Sequence, residues 1–321
     1  MGLARLLQAL TLLLLLGVGS AFALWLLAGA TLLWVLLALV IALLHVPLMA
    51  LEFLLLRWVN RGDAAPPASP AAMYRAWAGE SLAALRVFGW QQPWRWRRHP
   101  DHLPADAAGR RGLILVHGFV CNRGLWNPWW PRLQEAGVPC IAVNLEPVFG
   151  PIDRYPAVIE AAVQRMTQAT GKPPLLVGHS MGGLAVRAWL RDHDADARVH
   201  GVVTIGTPHH GTWLGRFGFA PNAQQMRWQS PWLLQLAAAE PVQRYRRFTC
   251  FWGHCDNIVF PASTATLPGA DNRHLHSHAH VHLLRHPQVL DTVLRRLAED
   301  EAQPAANSRS PGSTVPASIS A

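Results

Sequence analysis

The first 57 positions of the chain are almost uniformly apolar, whereas the rest of the chain alternates between apolar and polar stretches. Between residues 6 and 56, Glu52 is the only formally charged side chain. About 20 apolar residues suffice to cross the hydrocarbon core of a bilayer, so there is room here for two crossings. We predict a transmembrane helical hairpin over residues 1–57, with helices over 6–27 and 32–54 and a turn near 28–31.

Two other interpretations of this segment remain open. Ala21 and Ala23 flank Phe22 in a small-residue pattern typical of a signal-peptidase site, and an apolar helix pair could also be a buried core hairpin. The apolar run continues for about thirty residues beyond Ala23, so a cleaved chain would still carry a membrane helix.

After residue 73 the apolar runs shorten and alternate with amphipathic stretches. Residues 58–73 are predicted to form a linker, because the stretch from 62 is rich in Ala, Pro, Gly and Ser without periodicity. Continuous apolar runs indicate strands buried on both faces, and helical patterns between them favour a parallel α/β sheet. The strands are predicted at 112–118, 140–145, 174–180, 199–206 and 248–255. We assign 74–300 to this domain and 301–321 to a disordered tail.

The formal net charge of +9 comes almost wholly from arginine. The positive charges are interspersed with tryptophan instead of forming a lysine-rich tail, which argues against a nucleic-acid partner. Residues 86–100 mix Trp90, Trp94 and Trp96 with arginines, which is typical of a membrane interface with anionic headgroups and equally of a surface segment packed on its domain.

Cysteine usage excludes two classes of site. Cys121, Cys140, Cys250 and Cys255 have irregular spacing, which fits neither a disulfide framework nor a zinc motif. Buried free thiols are the preferred interpretation, with a pair between Cys250 and Cys255 as the alternative in an oxidising compartment.

A glycine-rich motif stands where a predicted strand gives way to a helix. Gly178-His179-Ser180-Met181-Gly182 has the G-x-S-x-G pattern of a nucleophile elbow, in which a tight turn presents the serine and leaves no room for side chains at the flanking glycines. The amide of Met181, at the start of the helix, is then placed to stabilise an oxyanion. We predict that Ser180 is a nucleophile.

The loop after the first predicted strand offers a second oxyanion donor. His117-Gly118-Phe119 lies there, and the backbone amide of Phe119 is the candidate donor. His117 precedes the serine in the chain and is expected to shape this loop and not to act as the base.

Three motifs together, HGF, GHSMGG and GTPHHGT at 206–212, resemble the bacterial lipases and esterases of the α/β-hydrolase superfamily over residues 110–300. The resemblance implies an α/β-hydrolase fold and a triad in the order serine, acid, histidine. Thr207 and His209 of the third motif are expected to be structural or to line the substrate pocket. Residues 213–241 are expected to form a cap or lid, with an ordinary crossover helix as the alternative.

The same resemblance points to the other two triad members. Asp256 precedes an apolar pair and a proline as the family acid does, with Asp271 as the alternative. His280 precedes a leucine pair and is the expected general base, with His282 as the alternative.

Histidines at positions 274, 276, 278, 280 and 282 alternate along the chain and could line one face of an extended segment that binds zinc. We favour a polar loop around one catalytic histidine, and expect no metal and no cofactor.

These features predict a membrane-anchored serine hydrolase that cleaves esters of lipids or other lipophilic molecules through an acyl-enzyme. Acyl transfer or thioester cleavage on the same triad, and a non-catalytic membrane scaffold, are the alternatives. Arg5, Arg57 and Arg61 flank the hairpin, which by the positive-inside rule favours a multi-pass protein of the bacterial inner membrane with a cytoplasmic catalytic domain. Protein partners are unknown.

Overall fold

The computed structural model describes residues 2–29 and 31–299. Its centre is a six-stranded, fully parallel sheet in the order β2-β1-β3-β4-β5-β6. The strands are β1 Leu113–Val116, β2 Cys140–Ala142, β3 Leu175–His179, β4 Gly201–Ile205, β5 Phe248–Trp252 and β6 Asp271–His274.

Helices cover both faces of the sheet, and a largely apolar helical segment precedes it. The helices are α1 Gly2–Ala28, α2 Leu32–Ala42, α3 His45–Val59, α4 Pro70–Arg86, α5 Gln92–Trp94, α6 Trp130–Glu135, α7 Pro156–Thr170, α8 Met181–Asp192, α9 Pro221–Gln225, α10 Pro231–Ala238 and α11 Pro287–Ala298.

The strands β1 to β5 coincide with the five predicted apolar runs, and the predicted parallel α/β sheet is confirmed. In β1, Leu113 and Leu115 enter the core cluster on one face, whereas Ile114 and Val116 enter the cluster on the other. This alternation follows from the two-residue period of a strand, and it explains why a strand buried on both faces is apolar at every position.

The sixth strand, β6, was not predicted. Its sequence Asp-Asn-Arg-His is polar and partly exposed, because it lies at the edge of the sheet and pairs only with β5. An edge strand of this kind lacks the apolar pattern by which buried strands are recognised.

The N-terminal segment departs from the predicted hairpin. α1 is continuous, but the helix predicted over residues 32–54 is two helices, α2 and α3, and the pair is bent by 44° at Leu43 and Leu44. Pro47, in the first turn of α3, has no N–H to donate to the carbonyl of Leu43, which favours a break at this point. One described helix, α1, is long and apolar enough to cross a membrane, and the bent pair is a second candidate only if its halves form one span.

The last part of this segment packs on the α/β body. Phe53 and Leu56 of α3 are buried in a cluster with Phe260 and Ala76. Within the predicted linker, Asp63 accepts hydrogen bonds from the backbone N–H and hydroxyl of Ser263, at 3.1 and 2.8 Å. The predicted tail at 301–321 lies outside the described residues.

All four cysteines are buried free thiols. Cys250 lies within β5, where burial raises the pKa of its thiol to about 12. At this pKa the thiol stays protonated near neutral pH and is a poor nucleophile.

Candidate active site

Ser180 occupies the turn between β3 and α8. Its backbone has φ 54° and ψ −127°, a conformation that side-chain-bearing residues rarely adopt. The amide of Ser180 donates a hydrogen bond of 2.9 Å to the carbonyl of Ile205, at the end of β4. The turn is therefore held in its strained conformation by the neighbouring strand.

The flanking glycines are required by close backbone approach. A Cβ at Gly178 would lie 2.5 Å from the amide nitrogen of Gly183, and one at Gly182 would lie 2.6 Å from the carbonyl oxygen of His117. Both distances are too short for any side chain, so α8 packs against β1 and β3 only with glycine at these positions.

Asp256 and His280 form a buried acid–base pair. Nδ1 of His280 lies 3.0 Å from both carboxylate oxygens of Asp256, and Asp256 also accepts hydrogen bonds from the amides of Ile258 and Val259. Asp256 is 1% exposed and His280 is 5% exposed. The pair defines the tautomer in which Nδ1 carries the proton and Nε2 offers a lone pair.

The charges around His280 favour its protonated form. Burial by itself lowers the pKa of His280, but the carboxylate of Asp256, its hydrogen bond, and the charges of Glu80 and Glu52 raise it by more, so that the pKa lies above its ordinary value of 6.5. An imidazolium formed during a reaction is therefore stabilised at this position.

The residue after β4 lies between the serine and this pair. The carbonyl of Ile205 binds the amide of Ser180, and a Cβ at the next residue, Gly206, would lie 2.9 Å from Asp256 Oδ2 and 3.2 Å from His280 Nδ1. The ring of His179 is also tilted against that of His280, with centroids 4.7 Å apart. The three predicted triad members therefore lie at adjoining strand ends.

Two carboxylates from the N-terminal helices bind the loops that carry His280 and Asp256, and neither contact was predicted. Glu80 of α4 accepts hydrogen bonds of 2.8 Å from the amides of Val281 and His282. Burial raises the pKa of Glu80 to about 7 although these bonds oppose the rise. Glu52 of α3 accepts a hydrogen bond of 2.6 Å from Asn257. In the sequence, the single charge of Glu52 within an otherwise apolar segment was the one feature that could have pointed to such a contact.

The predicted oxyanion loop lies against the serine. A Cβ at Gly118 would lie 2.8 Å from the Cβ of Ser180, and Phe119 lines the same pocket as Ser180. His117 accepts a hydrogen bond from the amide of Leu145 and donates one to the carbonyl of Gly118. Burial lowers the pKa of His117 to about 4, so the ring is neutral and shapes the loop. Met181 begins α8 directly after Ser180.

The alternative triad residues lie elsewhere. The ring of His282 packs against Gly79 of α4 and stacks on His278 at 4.3 Å. Asp271 is on the edge strand β6, where it pairs with Arg273. Neither contacts the pair formed by Asp256 and His280.

Ser180 opens into an apolar cavity of about 330 Å³. The predicted cap contributes Leu214, Phe217 and Met226 to its wall, and the loop after Asp256 contributes Ile258 and Val259. An apolar wall of this kind excludes water and favours an acyl chain over a polar group.

The GTPHHGT motif packs against α8, the helix that begins directly after Ser180. Thr207 packs against Gly183, and the ring of the buried His209 is hydrogen-bonded to Thr204. The carbonyl of His209 accepts a hydrogen bond from Arg187 of α8, which forms a fully buried ion pair with Glu240. This network joins α8, the motif and the end of the cap.

Comparison with known proteins bears on the fold. A family profile described as alpha/beta hydrolase fold matches residues 113–244. The mature lipase BlEst2 of Bacillus licheniformis superposes with a TM-score of 0.52 at 19% identity, covering 62% of this chain and 94% of that one. Lipase B of Aspergillus fumigatus gives a TM-score of 0.53 at 20% identity, covering 64% of this chain and 56% of that one.

No curated protein sequence matches the chain. The profile nevertheless spans β1 to β4 with the elbow at Ser180, and both solved structures share the parallel sheet and its flanking helices. The predicted fold class is thereby confirmed, and the chain has the α/β-hydrolase fold.

Proposed function

We propose that the protein is a membrane-anchored serine hydrolase that cleaves carboxylic esters of lipids or other lipophilic molecules. The observation that carries the proposal is the strained Ser180 in the wall of an apolar cavity, with the buried pair of Asp256 and His280 at adjoining strand ends. Both similar structures named above are lipases, which agrees with this chemistry.

In the proposed reaction, His280 Nε2 takes the proton of Ser180 as its Oγ attacks the ester carbonyl. Asp256 orients the ring and stabilises the imidazolium. The amides of Phe119 and Met181 bind the oxyanion of the tetrahedral intermediate. His280 then gives its proton to the departing alcohol, leaving an acyl-enzyme on Ser180. Water, deprotonated by the same histidine, attacks the acyl carbon, and His280 returns this proton to Ser180 Oγ as the bond to Oγ breaks and the carboxylic acid leaves.

A lipophilic substrate is inferred from the surroundings of the cavity. Phe217 lines it and is 60% exposed, and Phe219, two residues further along the cap, is 90% exposed. Exposed aromatic side chains on the segment that forms the wall of an apolar cavity favour contact with acyl chains.

Membrane anchoring is inferred from the N-terminal segment. None of the most apolar stretch of α1 is buried against described residues, and Leu13 and Leu16 are about two-thirds exposed. Trp90 and Trp94 are exposed close to where Gln8 of α1 binds the carbonyl of Pro93, and tryptophan favours the bilayer interface.

We further propose that the N-terminal segment anchors the protein in the inner membrane of a bacterium with a cytoplasmic catalytic domain, and that the part of α3 packed on the α/β body lies outside the bilayer. Protease protection in sealed inverted and right-side-out vesicles tests this topology. Protection of the α/β domain in inverted vesicles would contradict the orientation.

The activity is tested by labelling full-length protein with a fluorophosphonate in detergent and in lipid vesicles. Labelling that requires Ser180 and His280, but not His282, supports the assignment. Release of free fatty acid, and not of an acylated acceptor, supports hydrolysis over acyl transfer. Wild-type protein that stays unlabelled in both media would contradict the proposal.

A further inference from the structure

Three histidines converge at the edge of the sheet, outside the proposed triad. His254 lies two residues after β5, His274 ends β6, and His276 follows two residues later. The ring centroids are 4.5 Å apart for His254 and His274, 4.3 Å for His274 and His276, and 5.3 Å for His254 and His276. One ring nitrogen from each lies within 4.8 Å of the other two.

The parallel register explains the convergence. Trp252 and His274 are paired at the ends of β5 and β6. His254 and His276 each lie two residues further along, so they also come to lie side by side. Of these three residues, His274 and His276 belong to the alternating histidine run of the sequence. His254 comes from a different part of the chain and completes a three-sided group.

Nitrogens in this group lack hydrogen bonds of ordinary geometry. Nε2 of His274 is buried without a hydrogen bond to any described residue, and the ring of His254, which is 7% exposed, has only the backbone of Pro66 as a nearby hydrogen-bond partner, outside ordinary geometry. A buried polar atom left unpaired is destabilising, so such a cluster calls for a ligand.

The electrostatics keep these lone pairs available. Burial, followed by repulsion from His254 and His276, lowers the pKa of His274 to about 4. Burial also lowers the pKa of His254, with a further contribution from His276. Neutral imidazole is the form that coordinates a metal ion.

We propose that His254, His274 and His276 bind a divalent transition-metal ion of the Zn²⁺ type. Zn–N bonds of about 2.0–2.1 Å place the nitrogens of a tetrahedral site ~3.3 Å apart, so an ion would draw together three nitrogens that lie within 4.8 Å of one another here. The exposed side of His276 leaves room for a water molecule as the fourth ligand.

The ion would join the two loops that carry the proposed acid and base. His254 precedes Asp256 by two residues, and His276 precedes His280 by four. Metal bound here therefore positions these loops without contacting the substrate. This inference does not depend on the proposed reaction, because metal binding is measured directly.

The test uses full-length protein without a polyhistidine tag, equilibrated with Zn²⁺, dialysed and assayed for metal content. We expect about one Zn²⁺ per chain, and affinity reduced by more than about 100-fold in His254→Ala and His276→Ala. His193→Ala is the control, because His193 is an exposed histidine at the C-terminal end of α8, where it lies 3.7 Å from Glu160. It should retain the ion.

Two further readouts cover the case in which His254→Ala fails to fold. His276 is exposed, so His276→Ala should fold and carry the test alone. Co²⁺ should give visible ligand-field absorption with the wild type and not with His276→Ala, and Zn²⁺ should raise the Tm of the wild type only. Absence of binding by the wild type, or equal binding by His276→Ala, would overturn the proposal.

Discussion

Glu52, in the N-terminal helical segment, accepts a hydrogen bond from the side-chain amide of Asn257, the residue that follows the proposed triad acid. Asn257 in turn accepts a hydrogen bond from the backbone amide of His280, at 3.3 Å. The N-terminal segment is therefore in direct hydrogen-bonded contact with the loops that carry Asp256 and His280.

Replacing Glu52 by alanine should lower both stability and kcat. Loss of a hydrogen bond to a charged group costs about 1.5–3 kcal/mol, and Asn257 would no longer be held in place. Thermal unfolding and ester turnover in the same detergent measure the two effects. Glu52→Gln, which keeps an acceptor oxygen, should recover most of both; equal loss in both variants would show that the hydrogen bond is not responsible.

Ser180→Ala should abolish turnover, with a fall on the order of 10⁴-fold or more in kcat, because no other group could carry the acyl intermediate. The substitution removes only a hydroxyl, so the Tm and the membrane partitioning should stay close to those of the wild type. Turnover comparable to wild type in this variant would contradict the role of Ser180.

The pH dependence should report on His280. As a general base it must be neutral, and the net effect of its surroundings raises its pKa above 6.5, so kcat/KM should rise with pH through a midpoint above 6.5. The groups that face it are Asp256, Glu80, Glu52 and His179.

Asp256→Asn removes the carboxylate that contributes most to raising the pKa of His280. The residual activity of that variant should therefore have its acidic midpoint at lower pH than the wild type. An unchanged midpoint, measured on the same ester, would mean that another group controls the acidic limb.

Glu80→Ala should lower kcat more than it raises KM. The substitution leaves the amides of Val281 and His282 without their acceptor, and these residues follow His280 directly. The rate of fluorophosphonate labelling should fall with kcat, because both depend on the position of the base. Glu135→Ala, at an exposed carboxylate, is the control and should match the wild type.

Glu240→Ala should destabilise the fold by about 3–5 kcal/mol, because it leaves the fully buried guanidinium of Arg187 without its counter-ion. Asp291→Ala, which breaks the exposed pair with Arg132, should cost less than about 1 kcal/mol. Thermal or denaturant unfolding compares the two. Similar small losses of stability in the two variants would show that Arg187 finds another partner when Glu240 is removed.

The sequence by itself determined the features that depend on local chemistry. Strands buried on both faces need continuous apolar runs, which located β1 to β5, and the tight turn at Ser180 is marked by glycine at 178 and 182. The apolar stretch of α1 is likewise evident from composition alone.

Only the tertiary structure decided the contacts between distant parts of the chain. Glu80 binds the loop that carries His280, and Glu52 binds Asn257 in the loop that carries Asp256, each across about 200 residues. His254 joins His274 and His276 through the register of β5 and β6. No local pattern encodes such contacts, because a single carboxylate or imidazole has the same sequence signature whether it faces solvent or a buried partner. Tertiary packing decides whether such a side chain is exposed or buried, and a buried polar group requires a specific hydrogen-bond partner.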